Sequence, residues 1–199
     1  RRLKVLRVID GHLTDLPAEL STLSDLEELC LSAYPLGEIP EVVSALPALR
    51  ELIVADCGLK SLPENLALIP TLTAIAAQWN DIARVPAEIL NHDRLRYLNL
   101  EKNRLTEFPS FDGWDPANFK LTLELARNQI CRLRTPETWA DAVHILHLQE
   151  NPLTHITEAM LRFPDRAIVR FSFENLAAEE RDWFRRLIFE GEAWLSDGS

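Results

Sequence analysis

The sequence has few of the features that mark membrane, secreted or metal-binding proteins. No stretch approaches the roughly 18 consecutive apolar residues of a membrane-spanning helix, and the chain opens without a signal-peptide hydrophobic region. Its three cysteines, Cys30, Cys57 and Cys131, are scattered. An odd and scattered set argues against a disulfide framework or a zinc site built from close pairs. These absences predict reduced thiols and a cytoplasmic location.

Basic residues are also in short supply. Lys and Arg number 21 against 31 Asp and Glu, which gives a formal net charge of −10. Because a field of that sign repels phosphate backbones and anionic lipid surfaces, we expect neither nucleic acid nor membrane as a partner. The same charge favours a protein partner with a basic or mixed surface.

Catalytic and phosphate-binding motifs are missing as well. The sequence contains no GxxxxGK[ST], GxGxxG, GxSxG or HExxH pattern, so we expect no catalysis and no cofactor within this chain. Cys30 has no basic residue predicted beside it, which makes it a poor nucleophile. His144 and His147 lie three residues apart, and in a strand that odd spacing points the two rings to different sides. We therefore expect isolated surface histidines and no metal site.

What the sequence does have is a repeat. The segment from Leu26 reads LEELCLSAYPLGEIPEVVSALPA, and the next two read LRELIVADCGLKSLPENLALIPT and LTAIAAQWNDIARVPAEILNHDR. All obey the pattern LxxLxLxx(N/C)xLxxLPxxLxxL. Self-similarity on this scale is the signature of a repeat architecture. Units of 23 residues begin at Leu3, Leu26, Leu49, Leu72 and Leu95, and two drifts to 25 residues give further starts near Lys120, Val143 and Ile168.

The pattern predicts its own structure. We number the positions of each unit as steps, with its first residue as step one. Apolar residues at steps four and six alternate as in a strand, so stacked units form a parallel sheet with these side chains inside a coil. Step nine turns the chain out of the strand, where Asn can serve buried backbone groups as both donor and acceptor. The ladder of residues at this step is Gly11, Tyr34, Cys57, Asn80, Asn103, Asn128, Asn151 and Leu176.

Over about residues 1–176, this pattern resembles the leucine-rich repeat family, specifically the cytosolic type with a Leu-Pro step in each unit. The resemblance implies an α/β solenoid with a curved parallel sheet on its concave face and short helices or 3₁₀ turns on its convex face. Proline suits the first turn of a helix, and it recurs at one fixed place in five units, as Pro17, Pro40, Pro63, Pro86 and Pro109.

Two segments depart from the repeat. The stretch SFDGWDPANF at 110–119 is predicted to be a loop, in which Trp114 either packs down as a plug or protrudes as a contact. Residues 177–199 are predicted to form a capping helix and tail, because solenoids require covered ends. That helix would carry one apolar face, formed by Trp183, Phe184, Leu187 and Ile188. The alternative is a partner-binding helix.

The concave face is the expected binding surface, since this architecture usually binds there. Ala55, Ala74 and Ala76 would form a shallow floor ringed by apolar and acidic residues, including Glu51. An aromatic, apolar centre with a charged rim is typical of protein-binding patches. The predicted protein-binding residues are Ile53, Ala76, Gln78, Trp79, Tyr97, Asn99, Glu101, Glu124 and His147.

Trp79 has two competing interpretations. It could stand at the end of its strand as an anchor for a partner. It could instead swing inward beside Ala77, where other units place Leu or Val and the core is short of volume. The solvent accessibility of Trp79 distinguishes the two.

These features together predict a binding module that recognises a substrate or partner protein. The degenerate last units, with ENPLT at 150–154 followed by a helix, resemble the repeat domains of bacterial effector proteins. That resemblance implies a recognition half of a longer effector-like protein, which would act in the host cytoplasm after secretion. The alternative is the regulatory arm of a cytosolic kinase, GTPase or ubiquitin ligase. The sequence does not indicate an oligomeric state.

Overall fold

The computed structural model describes residues 2–9, 16–110, 121–133, 142–155, 168–172 and 174–182. Among these residues no helix is long and apolar enough to cross a lipid bilayer. The Trp114 loop and the apolar face predicted for the C-terminal helix lie outside the described residues. Residues 178–182, at the start of that predicted helix, are helical.

In the described part of the chain the repeats build one parallel sheet of eight strands, in which each strand pairs with the next in chain order. Every unit contributes one short strand, so the sheet grows by one strand per turn of the coil. The strands are β1 (Val5–Arg7), β2 (Glu28–Cys30), β3 (Glu51–Ile53), β4 (Ala74–Ala76), β5 (Tyr97–Asn99), β6 (Leu121–Glu124), β7 (Val143–Leu148) and β8 (Ile168–Phe171).

The core lies behind the sheet and follows the repeat. Register pairing places the step-four residues side by side from β1 to β8. Leu29, Leu52 and Leu98 at this step are fully buried, and Leu31, Val54 and Leu100 at step six are nearly or fully buried. Each fully buried leucine contributes about 2 kcal/mol of hydrophobic stabilisation, and neighbouring units share that burial.

The convex side carries short helices, as the prolines predict. Within residues 16–110, three are 3₁₀ helices, at Ala18–Thr22, Glu41–Ala45 and Glu64–Leu68, and one is an α-helix, α1 (Ala87–Leu90). Each follows directly after the repeated proline, whose φ of −58 to −74° is the value that the pyrrolidine ring imposes. Each also buries one or two aliphatic side chains against the core.

Asparagine at step nine ties each turn to the previous unit. The Asn103 carbonyl oxygen accepts a hydrogen bond from the Ile82 amide at 2.9 Å, and its amide group donates to the carbonyls of Ala77 (2.9 Å) and Leu100 (3.1 Å). Asn80, Asn128 and Asn151 are likewise buried and make equivalent bonds. At Cys57 the thiol contacts the Leu31 carbonyl at 2.9 Å.

The last unit lies two residues away from its predicted register. Ile145 pairs with Ile168 and His147 with Arg170, so the spacing is 23 residues and the second predicted drift to 25 is wrong. Leu176 is buried and occupies the core position that Leu153 holds one unit earlier, rather than the ladder. The reason is that Val169 and Phe171 supply the two inward residues of β8.

Candidate functional site

The sheet brings the predicted concave residues into adjoining rows. At step five, Ile53, Ala76, Asn99, Glu124 and His147 are consecutive register partners from β3 to β7. Tyr97 lies one row away at step three, beside Ala74. Gln78 and Glu101 follow the ends of β4 and β5, and Trp79 comes directly after Gln78. The nine residues therefore occupy one continuous area of the sheet and its rim.

Trp79 points into solvent, with 53% of its surface exposed. Its backbone is in the left-handed region, with φ of 62°, and this conformation sends the side chain away from the core. The void-filling interpretation is therefore wrong, and Ala77 is fully buried although Trp79 is exposed. The Lys102 ammonium lies 5.6 Å from the centre of the Trp79 ring, which is within cation–π range.

The left-handed conformation at Trp79 recurs in every unit in which this step is described. Non-glycine residues with φ between 54 and 62° recur there, although the conformation is unfavourable for a side chain bearing Cβ. The backbone amides of these residues bond to the next unit; the Trp79 amide, for example, donates to the Glu101 carbonyl at 2.9 Å. The residues are Ala33, Asp56, Trp79, Lys102, Arg127 and Glu150.

Tyr97 is a half-buried wall of the surface and is held in place by its neighbour. The Asn99 side-chain amide donates to the Tyr97 hydroxyl at 3.1 Å, while the Asn99 carbonyl oxygen accepts from the Glu101 backbone amide at 2.9 Å. Burial raises the pKa of the Tyr97 hydroxyl, and the carboxylates of Glu124, Glu101 and Glu51 raise it further, against a lowering by Asn99. The phenol therefore lies in a negative local field.

Several charges on this face are paired across neighbouring strands. Arg127 bonds Glu150 at 3.0 Å and Glu101 at 3.4 Å. His147 is hydrogen-bonded to Glu124 through Nδ1, and this contact is an ion pair only when the imidazole is protonated. Glu51 differs, because it is exposed and has no ion pair within the described part of the chain.

The other candidate reactive groups are not assembled into a site. Among the described residues, no group of three or more His, Cys, Asp or Glu side chains is placed to hold a metal ion. The expectation that Cys30 has no basic neighbour is wrong, because Arg7 is its register partner on β1. The Arg7 guanidinium is bound by Glu28, and this partner accounts for the raised pKa of Arg7.

Comparison with known proteins gives the fold. No protein-family model and no curated protein matches this sequence. Among solved structures, a Shigella effector leucine-rich repeat domain is similar at a TM-score of 0.71 and 20% identity, over 98% of this chain and 81% of that one. A leucine-rich repeat protein of Leptospira interrogans is similar at a TM-score of 0.61 and 22% identity, over 98% of this chain and 48% of that one.

The chain has the leucine-rich repeat fold. A plant ice-binding protein is also similar, at a TM-score of 0.68 and 25% identity over 86% of this chain and 57% of that one. The chain thus spans about half the length of the plant and Leptospira proteins. The resemblance of its repeats to those of bacterial effectors is confirmed at the level of the fold.

The leucine-rich repeat solenoid also has an open recess of about 410 Å³ next to Trp79, at the ends of the central strands. An ion pair of 2.7 Å between Arg104 and Asp81 lies along it. Our predicted set omitted these two residues and Lys102. The sequence could have indicated these three residues, because steps eight and ten carry charged side chains that the core cannot bury and that must therefore face water. The recess is lined by Asp56, Trp79, Asn80, Asp81, Lys102, Asn103, Arg104 and Gln129.

Proposed function

We propose that this chain is a protein-binding module that captures another protein on its concave face, with Trp79 as an anchor at the ends of the strands. The observation that carries the proposal is the exposure of Trp79, at 53%, beside the open recess. A large aromatic side chain in contact with water is costly unless a partner covers it, and tryptophan is enriched among residues that dominate binding energy. The neighbouring alanines let a partner approach the backbone closely.

We further propose that the module belongs to a longer, bacterial effector-like protein and selects its target in a host cytoplasm. The support is the similarity to a Shigella effector domain over 98% of this chain. Under this proposal the chain contributes recognition, and any catalytic group lies elsewhere in the longer protein.

A capture experiment tests the binding proposal. Immobilised native protein and a Trp79→Ala, Tyr97→Ala double variant are each incubated with eukaryotic and bacterial lysates, and the bound proteins are quantified by mass spectrometry. We expect the native protein to enrich a specific eukaryotic protein and the double variant to lose about tenfold or more of it.

The matched control is Leu68→Ala on the convex side. Leu68 is 77% exposed, so this variant also removes an exposed apolar side chain but leaves the concave face intact. Equal recovery by the native protein and the double variant would contradict the concave site. Specific recovery from bacterial lysate alone would contradict the effector role.

A further inference from the structure

A slot one side chain wide lies at the centre of the concave face. Ala74 pairs with Glu51 on one side and with Tyr97 on the other, and Ala76 pairs with Ile53 and Asn99 in the same way. The flanking strands are therefore two strand spacings apart, about 10 Å. Because the two alanines reach only as far as Cβ, the space between the flanking side chains is open to a partner.

The walls of this slot differ in character. On the β5 side stands the Tyr97 ring, fixed by its hydrogen bond from Asn99. On the β3 side the wall beside Ala76 is aliphatic and is formed by half-buried Ile53. The wall beside Ala74 is the exposed Glu51 carboxylate. A side chain entering here meets an aromatic ring, the methyl groups of two alanines and a carboxylate that has no ion pair among the described residues.

The electrostatic field in the slot is negative. Glu51, Glu101 and Glu124 all act on the Tyr97 phenol in the direction that disfavours its ionisation. Glu101 is paired with Arg127 and Glu124 is hydrogen-bonded to His147. Glu51 is exposed and has no ion pair among the described residues, so its carboxylate is available to a new cation. A neutral or acidic side chain would leave this field uncompensated.

We propose that the slot receives an arginine side chain of the captured protein, with its guanidinium stacked on Tyr97 and paired with Glu51. This inference rests on the proposed function and specifies the chemistry of the partner. The aliphatic stem of the arginine lies over Ala74 and Ala76, where it displaces water from an apolar floor.

Arginine fits this slot better than lysine for two reasons. Its planar guanidinium is weakly hydrated and stacks on aromatic faces, whereas a lysine ammonium is a compact, strongly hydrated charge. It also offers two parallel N–H donors to a carboxylate, which is the geometry that Glu51 can accept. The slot therefore selects for the shape of the cation as well as its sign.

A titration followed by NMR tests the inference directly. The probe is N-acetylarginine methylamide, added to the ¹⁵N-labelled protein, with N-acetylcitrulline methylamide as a neutral probe of the same shape. We expect saturable shifts at the amides of Ala74, Ala76 and Tyr97 with the arginine probe, and affinity about tenfold weaker with the citrulline probe. Nα-acetyllysine methylamide, which keeps its side-chain ammonium, should bind more weakly than the arginine probe.

A pair of variants separates the slot from general charge effects. Glu51→Gln should lose about tenfold in affinity for the arginine probe, whereas Glu64→Gln makes the same charge change on the convex side and should leave it unaltered. Equal binding of the arginine and citrulline probes, or equal effects of the two variants, overturns the inference. If the arginine probe fails to bind while the Trp79 double variant still loses its captured protein, the arginine slot is wrong and the binding module stands.

Discussion

At the scale of single residues, the buried asparagines contribute to stability through groups that nothing else can satisfy. Asn103→Ala leaves the Ile82 amide without its acceptor inside the turn. Each unsatisfied buried polar group costs about 1–3 kcal/mol, so we expect the free energy of unfolding to fall by about 3 kcal/mol. Chemical denaturation followed by circular dichroism measures the change.

The control for this variant is Asn99→Ala, which removes a half-buried asparagine from β5, the strand of the same unit. Among the described residues the Asn99 side chain bonds only the Tyr97 hydroxyl and the Glu101 amide, at the open surface, where water can replace it. We expect a loss of about 1 kcal/mol or less. A loss at Asn103 no larger than that at Asn99 would contradict the structural role of the ladder.

The thiols of Cys57 and Cys131 differ in environment, and their reactivity should differ accordingly. Burial raises the pKa of the Cys57 thiol, so a smaller fraction is thiolate at any given pH, and the thiolate is the reactive form. Cys131 is exposed. With a maleimide at neutral pH, we expect Cys131 to be modified rapidly and Cys57 only after denaturation, as measured by peptide mass spectrometry. Comparable rates in the native protein would contradict the burial of Cys57.

The environment of Trp79 was only partly predictable from the sequence. Its unit is short of core volume at Ala77, and that observation alone permits an inward indole. The deciding factor is the left-handed backbone, with φ of 62°, which is a property of the stacked turns rather than of the residue. Charged residues at the same step in other units, such as Lys102 and Glu150, were the indirect signal that this position faces water.

At the scale of secondary-structure elements, each strand is held by its inward residues. Leu98 is fully buried in β5, between Ile75 and Leu123 in register. Leu98→Ala removes this contact and leaves a cavity, so we expect a loss of about 2–5 kcal/mol. Leu68→Ala, at the exposed end of a convex 3₁₀ helix, should cost about 0.5 kcal/mol or less. Similar losses for the two variants in thermal unfolding would contradict the inward packing.

The elements were predictable where the repeat is regular and less so where it degenerates. Alternating leucines and the step-nine asparagine define β5, β6 and β7 without ambiguity, because both signals agree within each of these units. In the last unit no asparagine marks the turn, and Phe171 and Leu176 replace the usual landmarks. The register was therefore misplaced by two residues, and the pairing of Ile145 with Ile168 required the structure.

At the scale of the whole molecule, stability should depend on position along the solenoid. Within the described residues β1 has a neighbouring strand on one side only, and Val5 and Ile9 are 47% and 58% exposed. The Val8 amide donates to the Cys30 carbonyl and the Ala77 amide to the Asn99 carbonyl, both at 2.8 Å. Opening the first unit to release the Val8 amide disrupts its interface with one neighbouring unit. Opening the fourth unit to release the Ala77 amide disrupts its interfaces with two neighbouring units. Because repeats contact only their neighbours, we expect Val8 to exchange its amide hydrogen faster than Ala77 by about tenfold or more.

Native-state hydrogen exchange by NMR measures both rates in one sample, and the equal bond lengths provide the matched comparison. Equal rates would mean that the solenoid opens only as a single cooperative unit.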